Sequence, residues 1–577
     1  MSPKKPLTAA LRAKSHHSPS KDSLLQWFKD QKIEYDSRMM KIHCSPTSEF
    51  HVTTNSEAIP TNTVIGTVPK TACLSARNSG ISNLIEEAGF TGTLALSIAL
   101  LFERSQLHQG NGTPWSSYIA SLPTHAQTPL FWDAESTKLL SPTDLTIEED
   151  KSCLDSDFDE HVFPFIESHP IVFPRRSAGE WRKEFMECIT IVTSRAFLVD
   201  AFHGEALVPF ADLFNHKSGA ETIHIKGGGD VCEDCGAVEG TCGCLDSDDE
   251  MLDPHHEHDP NGGCCGEDSD GMETDSETED VDWLYHLDEA VPELAGGKAK
   301  PAESSPRKRN SDEPASEDSL KITMIHSVKP NTEIFNTYGN HSNSKLLNLY
   351  GFAEINNPNN NVQVDLEHLC ATVMNIIGAN VLVERCRFWN QVGQKAVDYI
   401  IHNKKDSQIE EEINWGDDDE GGEDSAVDQF IQQPPDLFNF SNNGKASTHL
   451  LAFLQIAFLN SKAFQVFTKS EDAVLKYIRH IVENELLSWS ATPADGTIKS
   501  SKSVNSTLRP DIRHIITVLR SLALHRVSRY ESVHIEQELT ELQEAIATKN
   551  YSPKRWALIV RTEEQRILNE ALKRYCI

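Results

Sequence analysis

Long apolar runs are missing. The most hydrophobic stretch, LALSIALLF at residues 94–102, falls far short of the roughly 20 residues that a membrane-spanning helix requires. It reads as a buried helix, and no membrane partner is expected. The opening MSPKKPLTAALRAKSHHSPSKD lacks the apolar centre of a secretory signal and reads as a mobile basic tail over residues 1–22. Positive charge is missing from two tracts. Residues 230–318 hold 28 Asp and Glu against 5 Lys and Arg, and residues 406–428 hold 11 acidic residues with no Lys or Arg. These tracts carry −23 and −11, which is the whole of the net charge of −34, so the remainder is neutral. Acidic tracts repel phosphate backbones and attract basic surfaces, which disfavours direct nucleic-acid binding and favours a basic protein partner. Polar, acidic low-complexity loops also serve simply to solubilise a chain. Thirteen cysteines need not pair in an intracellular chain, and the nucleus, the cytoplasm or both are the expected compartments.

What remains is enough for two or three domains in 577 residues. The segment LLQWFKDQKIEYD at residues 24–36 has the pattern of a short amphipathic helix, and β-branched extended segments follow at 50–53 and 63–75. Helical patterns occupy 92–107 and 178–197. Residues 204–225 read as strand, turn, strand. After the first acidic tract, residues 320–339 read as a strand, a Pro-Asn turn and a second strand. An insertion between two strands is tolerated because loop closure grows costly only slowly with length. From residue 365 onward long helical patterns take over, at 366–402, 449–487, 512–549 and 553–575. The expected class is α+β, with an all-α C-terminal part.

Three short windows stand out: SRAF at 194–197, ADLFNH at 211–216 and NTYGNHSNSKLLNLYGF at 336–352. Each is common alone. In this order, around an expandable loop and ahead of a helical tail, they resemble the SET-domain protein lysine methyltransferases. The nearest branch is that of the Rubisco large-subunit and fungal ribosomal-protein lysine methyltransferases. The resemblance implies a SET domain of small interlocked β-sheets over residues 23–352, with a helical insertion at about 90–195. The acidic, Cys-rich stretch at about 227–319 would be a disordered insertion in it. A helical substrate-binding domain would follow at 353–577, with an acidic disordered loop at about 405–445. The segment after Tyr338 would thread a preceding loop.

The same resemblance implies an S-adenosyl-L-methionine-dependent transfer of methyl groups to a lysine amine of a basic protein, a ribosomal protein foremost, by a monomer that does not bind nucleic acid directly. Tyr338 matches the catalytic tyrosine, and Tyr350 and Phe352 match the aromatic pair lining the lysine channel. Asn215, His216 and Arg195 match cofactor-binding positions, and Asp212 matches a position near the substrate lysine. The residue types suit the chemistry. Aromatic walls exclude water and present a negative face to a methylated cation, tyrosine hydroxyls supply fixed dipoles, and an arginine fork grips a carboxylate.

Glycine is missing where the family carries a Gly-x-Gly turn, at about residues 50–52. Those glycines let backbone wrap the methionine end of the cofactor. Their absence keeps a second reading open: a weak or inactive SET-fold protein that holds or shields a basic partner. Finally, CEDCGAVEGTCGC at 232–244 has spacing compatible with zinc through Cys232, Cys235, Cys242 and Cys244, or with a disordered loop that merely carries thiols. PRKRN at 306–310 has the character of a short nuclear-import signal.

Overall fold

The computed structural model describes residues 21–45, 50–227, 231–232, 236–237, 319–402, 425–482, 512–530, 535–548 and 551–576. They divide between two units. The first is drawn from residues 1–130, 146–340 and 349–351, the second from residues 131–145, 341–348 and 352–577. Residues 1–20 of the expected tail and most of both acidic tracts lie outside the described residues, and Lys21 and Asp22, expected in the tail, instead open the first helix.

The first unit carries nine short strands: β1 Glu34–Tyr35, β2 Met40–Cys44, β3 Phe50–Thr54, β4 Val64–Pro69, β5 Leu74–Ser75, β6 Ala196–Asp200, β7 Gly204–Leu207, β8 Ile223–Lys226 and β9 Ser319–Met324. They form a four-stranded sheet in the order β1-β4-β9-β8, a three-stranded sheet β5-β7-β6 and the hairpin β2-β3. β8 and β9 pair antiparallel from Ile223↔Met324 to Lys226↔Lys321 although some ninety residues separate them in sequence. β-Branched and leucine side chains such as Ile65, Val68, Leu320 and Ile322 fill the core between these strands and the helices. Between β5 and β6 the chain runs through helices joined by turns, ending in the helix Ala178–Arg195, which opens on a capping box of Ser177 and Glu180.

Among the described residues the second unit carries helices and one antiparallel pair, β10 Asn361–Gln363 and β11 Asn439–Ser441. Its core gathers Trp389, Phe430, Phe438 and Phe453. The long helix Pro553–Arg574 is buried along much of its length. Asn343 stands in for a peptide group here: its side chain donates to the carbonyl of Glu354 at 2.8 Å and accepts from the amide of Glu354 at 3.0 Å. Among the described residues no single helix is long and apolar enough to cross a membrane.

Four sequence expectations need correction. The first helix stops at Asp30 and gives way to β1, because Lys32 adopts a left-handed φ of 59°. The pattern at 366–402 is not one helix but Leu366–Ile377, Ala379–Phe388 and Gln394–His402, broken first at Gly378 and then by a wider turn at Trp389–Gly393. The pattern at 449–487 likewise splits into Thr448–Ala457, Ser461–Phe467 and Glu471–His480, each capped by its own Ser or Asn side chain. No continuous strand follows the Pro-Asn turn. Residues 328–336 instead make single bridges to three partners, Ile59↔Val328, Thr53↔Glu333 and His216↔Asn336.

Candidate active site

The site is assembled by three segments of the first unit. The helix Ala178–Arg195 delivers Arg195 at its last position, where β6 begins. After β7 the chain turns at Phe210, which holds a left-handed φ of 72° without being glycine. Burial enforces this conformation. The Phe210 ring lies fully inside, against Gly66, where an added Cβ would sit 2.4 Å from a ring carbon. The turn Ala211–Leu213 that follows places Asp212 inward, with its side chain almost fully buried. Arg195 Nη1 donates to the Asp212 carbonyl at 3.1 Å and stands 3.6 Å from Oδ2. The Tyr118 hydroxyl donates to the same Oδ2 at 2.9 Å. Oδ1 of Asp212 is buried and has no hydrogen-bond partner. Burial raises the Asp212 carboxyl above its ordinary range, while Arg195 and the Tyr118 hydrogen bond pull it back.

Asn215 and His216 lie alongside the third segment. The Asn336 amide donates to the Asn215 carbonyl at 2.9 Å, and His216 bridges Asn336 in parallel. The Tyr338 amide donates to His216 Nδ1 at 3.0 Å, which makes that nitrogen the acceptor. The Tyr338 ring lies between two others, 5.2 Å from His216 and 4.7 Å from Tyr350, both stacked. Its hydroxyl donates to the Phe214 carbonyl at 3.2 Å, and the Tyr350 hydroxyl reaches the Tyr338 carbonyl at 3.4 Å. Burial pushes the Tyr338 phenol up to about 12 and that of Tyr350 higher still, so both stay protonated at neutral pH.

The two Tyr-Gly pairs have a backbone reason. Gly339 and Gly351 have φ of 110° and 78°, a region that side chains disfavour. At Gly351 a Cβ would also come within 2.7 Å of the Gln127 backbone. Gly351→Ala is therefore expected to lower stability by about 2–4 kcal/mol, from the left-handed strain and the clash together. A urea-denaturation midpoint checks this.

Six residues expected at the site, Arg195, Asp212, Asn215, His216, Tyr338 and Tyr350, thus meet in one unit. Phe352 is half-buried and falls in the second unit. Cys232 is half-buried, while Cys235, Cys242 and Cys244 lie outside the described residues. Among the described residues no group of three or more His, Cys, Asp or Glu side chains could hold a metal ion.

Residues 50–52 are part of β3, paired residue for residue with β2. There His43 and His51 face each other, with imidazoles stacked 4.8 Å apart, and His43 Nε2 lies 2.9 Å from Thr53 Oγ1. Burial, and then the neighbouring His51, Lys41 and Lys21, lower the His43 imidazole below its ordinary value. Sequence reasoning missed Tyr118 and also Glu333, whose Oε1 accepts from Asn215 Nδ2 at 2.7 Å. Neither sits in a recognisable motif.

The chain's likeness to known proteins can now be set beside this geometry. No family model matches it. Ribosomal lysine N-methyltransferase 3 of Saccharomyces cerevisiae is 26% identical over 359 residues, 57% of this chain and 60% of that protein. N-lysine methyltransferase SETD6 of Bos taurus is 29% identical over 176 residues, 28% of this chain and 38% of that one. The chain thus spans less than two thirds of the length of these curated relatives. Among solved structures, the SET domain of LSMT bound to lysine and AdoHcy superposes with a TM-score of 0.54 at 16% identity, covering 97% of this chain and 91% of that one. Rubisco LSMT bound to AdoMet gives 0.51 at 15% identity, covering 96% and 91%. The chain has the SET-domain fold. The α+β class expected from the sequence is the class of these SET proteins, with small antiparallel sheets and abundant helix.

Proposed function

We propose that this SET-fold chain is an S-adenosylmethionine-dependent protein-lysine N-methyltransferase acting on a basic protein, a ribosomal protein first of all. The observation that carries the reading is the stacking of Tyr338 between His216 and Tyr350 beside the buried Asp212–Arg195 pair. The names of the yeast and mammalian relatives support the reaction, and the yeast name supports the substrate.

The residues present fit the cofactor. Arg195 spends Nη1 on Asp212 yet keeps its side chain 28% exposed, which suits a guanidinium fork that also grips an amino-acid carboxylate. Asn215, tied to Glu333, offers a polar pair for the same end of the molecule. S-Adenosylmethionine, when bound, would supply a sulfonium methyl group for in-line transfer to an amine, with the thioether of S-adenosylhomocysteine as the leaving group. The chain's own part is to deliver that amine neutral and aligned. A free lysine titrates near ~10.4, and a channel walled by Tyr338 and Tyr350 excludes the water that would solvate its charged form. The protonated Tyr338 hydroxyl supplies a fixed dipole beside the reacting atoms, and alignment alone can contribute on the order of 7–11 kcal/mol.

In this reading residues 23–352 form the catalytic domain and residues 353–577 dock the substrate protein. The acidic tracts attract its basic surface, and the chain works as a monomer in nucleus or cytoplasm.

Isothermal titration with S-adenosylmethionine tests the proposal. Micromolar binding is expected in the wild type, with at least a tenfold loss in Asn215→Ala, which removes the amide that holds Glu333 in place. An undetectable interaction in the wild type would leave the alternative, a SET-fold scaffold for a basic partner. That alternative draws on the β2–β3 hairpin, where His43 faces His51 and no glycine occupies residues 50–52.

A further inference from the structure

Tyr118 belongs to the helix Ser116–Ser121 in the helical run between β5 and β6, and it is fully buried. Its ring stacks on Trp27 at 5.8 Å, and Trp27 is itself anchored by an Nε1 hydrogen bond of 2.8 Å to the Pro114 carbonyl. The hydroxyl therefore has a fixed position, 2.9 Å from Asp212 Oδ2. Arg195 approaches the same oxygen at 3.6 Å. Both contacts fall on one side of the carboxylate. The other oxygen, Oδ1, is buried without a hydrogen-bond partner, an arrangement that desolvates a negative charge and leaves it unmatched. Asp212 and Arg195 both lie close enough to Tyr338 to act on the ionisation of its hydroxyl. The bare oxygen thus belongs to the same neighbourhood as the tyrosine assigned to the chemistry.

We propose that Tyr118 is a positioning residue for the methyl acceptor: by occupying Oδ2 of Asp212 it presents Oδ1 to the primary ammonium of the substrate as it arrives, before the amine gives up its proton. This rests on the methyltransferase reading of the site. An ammonium carries three donors and no acceptor, which suits an acceptor-only carboxylate oxygen. Arg195 is barred from the role because it already faces Oδ2 and the backbone carbonyl. The Tyr118 hydroxyl also favours the ionised carboxylate, since a donor to a carboxylate lowers its affinity for a proton.

The test is titration of L-lysine into the full chain saturated with S-adenosylhomocysteine, repeated between about pH 5 and pH 9. In the wild type, lysine affinity is expected to fall on acidification as Asp212 takes up a proton. Tyr118→Phe keeps the stacked ring and removes only the donor. Its plateau affinity should drop on the order of tenfold, the loss of one hydrogen bond to a charged group, and the midpoint of its acid decline should move to higher pH. Asp212→Asn should weaken lysine binding and flatten the pH profile. S-Adenosylhomocysteine affinity should be unchanged in Tyr118→Phe. If the Tyr118→Phe profile superimposes on the wild type, the positioning role is overturned while the methyltransferase reading stands. If the loaded wild type takes up no lysine, Oδ1 is not the ammonium's partner. If S-adenosylhomocysteine itself does not bind, the methyltransferase reading fails.

Discussion

Tyr338→Phe is expected to slow methyl transfer on the order of 10²–10³-fold while changing S-adenosylmethionine affinity by no more than about twofold. The substitution is conservative for packing, because the ring keeps its contacts with His216 and Tyr350. What disappears is one hydroxyl, donating at 3.2 Å to the Phe214 carbonyl. That hydrogen bond fixes the direction of the O–H dipole, and a preorganised dipole needs no reorganisation as charge moves in the transition state. The phenol is pushed up to about 12, so the neutral hydroxyl acts, and activity should not rise as a phenolate forms. Tyr350→Phe removes a hydroxyl whose own contact is longer, 3.4 Å to the Tyr338 carbonyl, and its effect should be smaller. Release of S-adenosylhomocysteine on incubation with purified ribosomal proteins measures the rate, and titration measures the affinity. Loss of binding and rate together in Tyr338→Phe would make Tyr338 part of the cofactor cradle instead.

The site residues could be read from the sequence where they sit in short windows that keep their order. Asp212, Asn215 and His216 lie within six positions of one another, and Tyr338 and Tyr350 flank a single loop and helix. Tyr118 was invisible because its partner is 94 positions away, and SSYIAS carries no spacing that distinguishes it from any helix with one buried face. Glu333 was hidden for a related reason. Its setting looks like an ordinary strand, yet the segment bridges three different partners and forms no ladder with any of them. β8 and β9 were legible through the acidic tract between them because each keeps its own β-branched alternation, which an insertion in a connecting loop does not disturb. The helices of the second unit were found but not their breaks. Periodic leucines run on across Gly378, and only its φ of 86° ends the helix there. The membership of residues 131–145 in the helical unit comes from contacts distant in sequence, such as the hydrogen bond from the Gln363 amide to Asp144 Oδ2 at 2.8 Å.

Those bonds lead to the largest stability effect expected in the second unit. Asp144, Glu564 and Arg526 form a buried cluster with two carboxylates and one guanidinium. Arg526 pairs with Asp144 Oδ1 and lies 3.3 Å from Glu564 Oε2. Tyr530 donates to the same Oε2, Ser344 donates to Oε1 at 3.1 Å, and the Asp144 amide reaches Oε1 at 3.2 Å. Arg526→Met leaves two carboxylates in a dry site with no cation, and should lower stability by about 3–5 kcal/mol. Glu564→Gln keeps the shape and removes the surplus charge, but all four partners of Glu564 donate to it, so the new NH2 turns two of these hydrogen bonds into donor–donor contacts and should cost about 1–3 kcal/mol. Burial, and then the Asp144 charge, push the Glu564 carboxyl up to about 7. The folded chain therefore holds this proton over a range in which the unfolded chain, with its ordinary carboxyl near ~4.3, has released it. Unfolding releases a proton throughout that window, so stability should fall as pH rises through it, by up to about 3 kcal/mol. Most surface carboxylates give the opposite slope, because pairing lowers their proton affinity. Urea midpoints of wild type, Arg526→Met and Glu564→Gln at about pH 5 and about pH 8 separate the contributions. Glu564→Gln should lose the falling component and leave the others. An unchanged pH dependence in that variant would mean that the cluster keeps both carboxylates charged, with Arg526 shared between them.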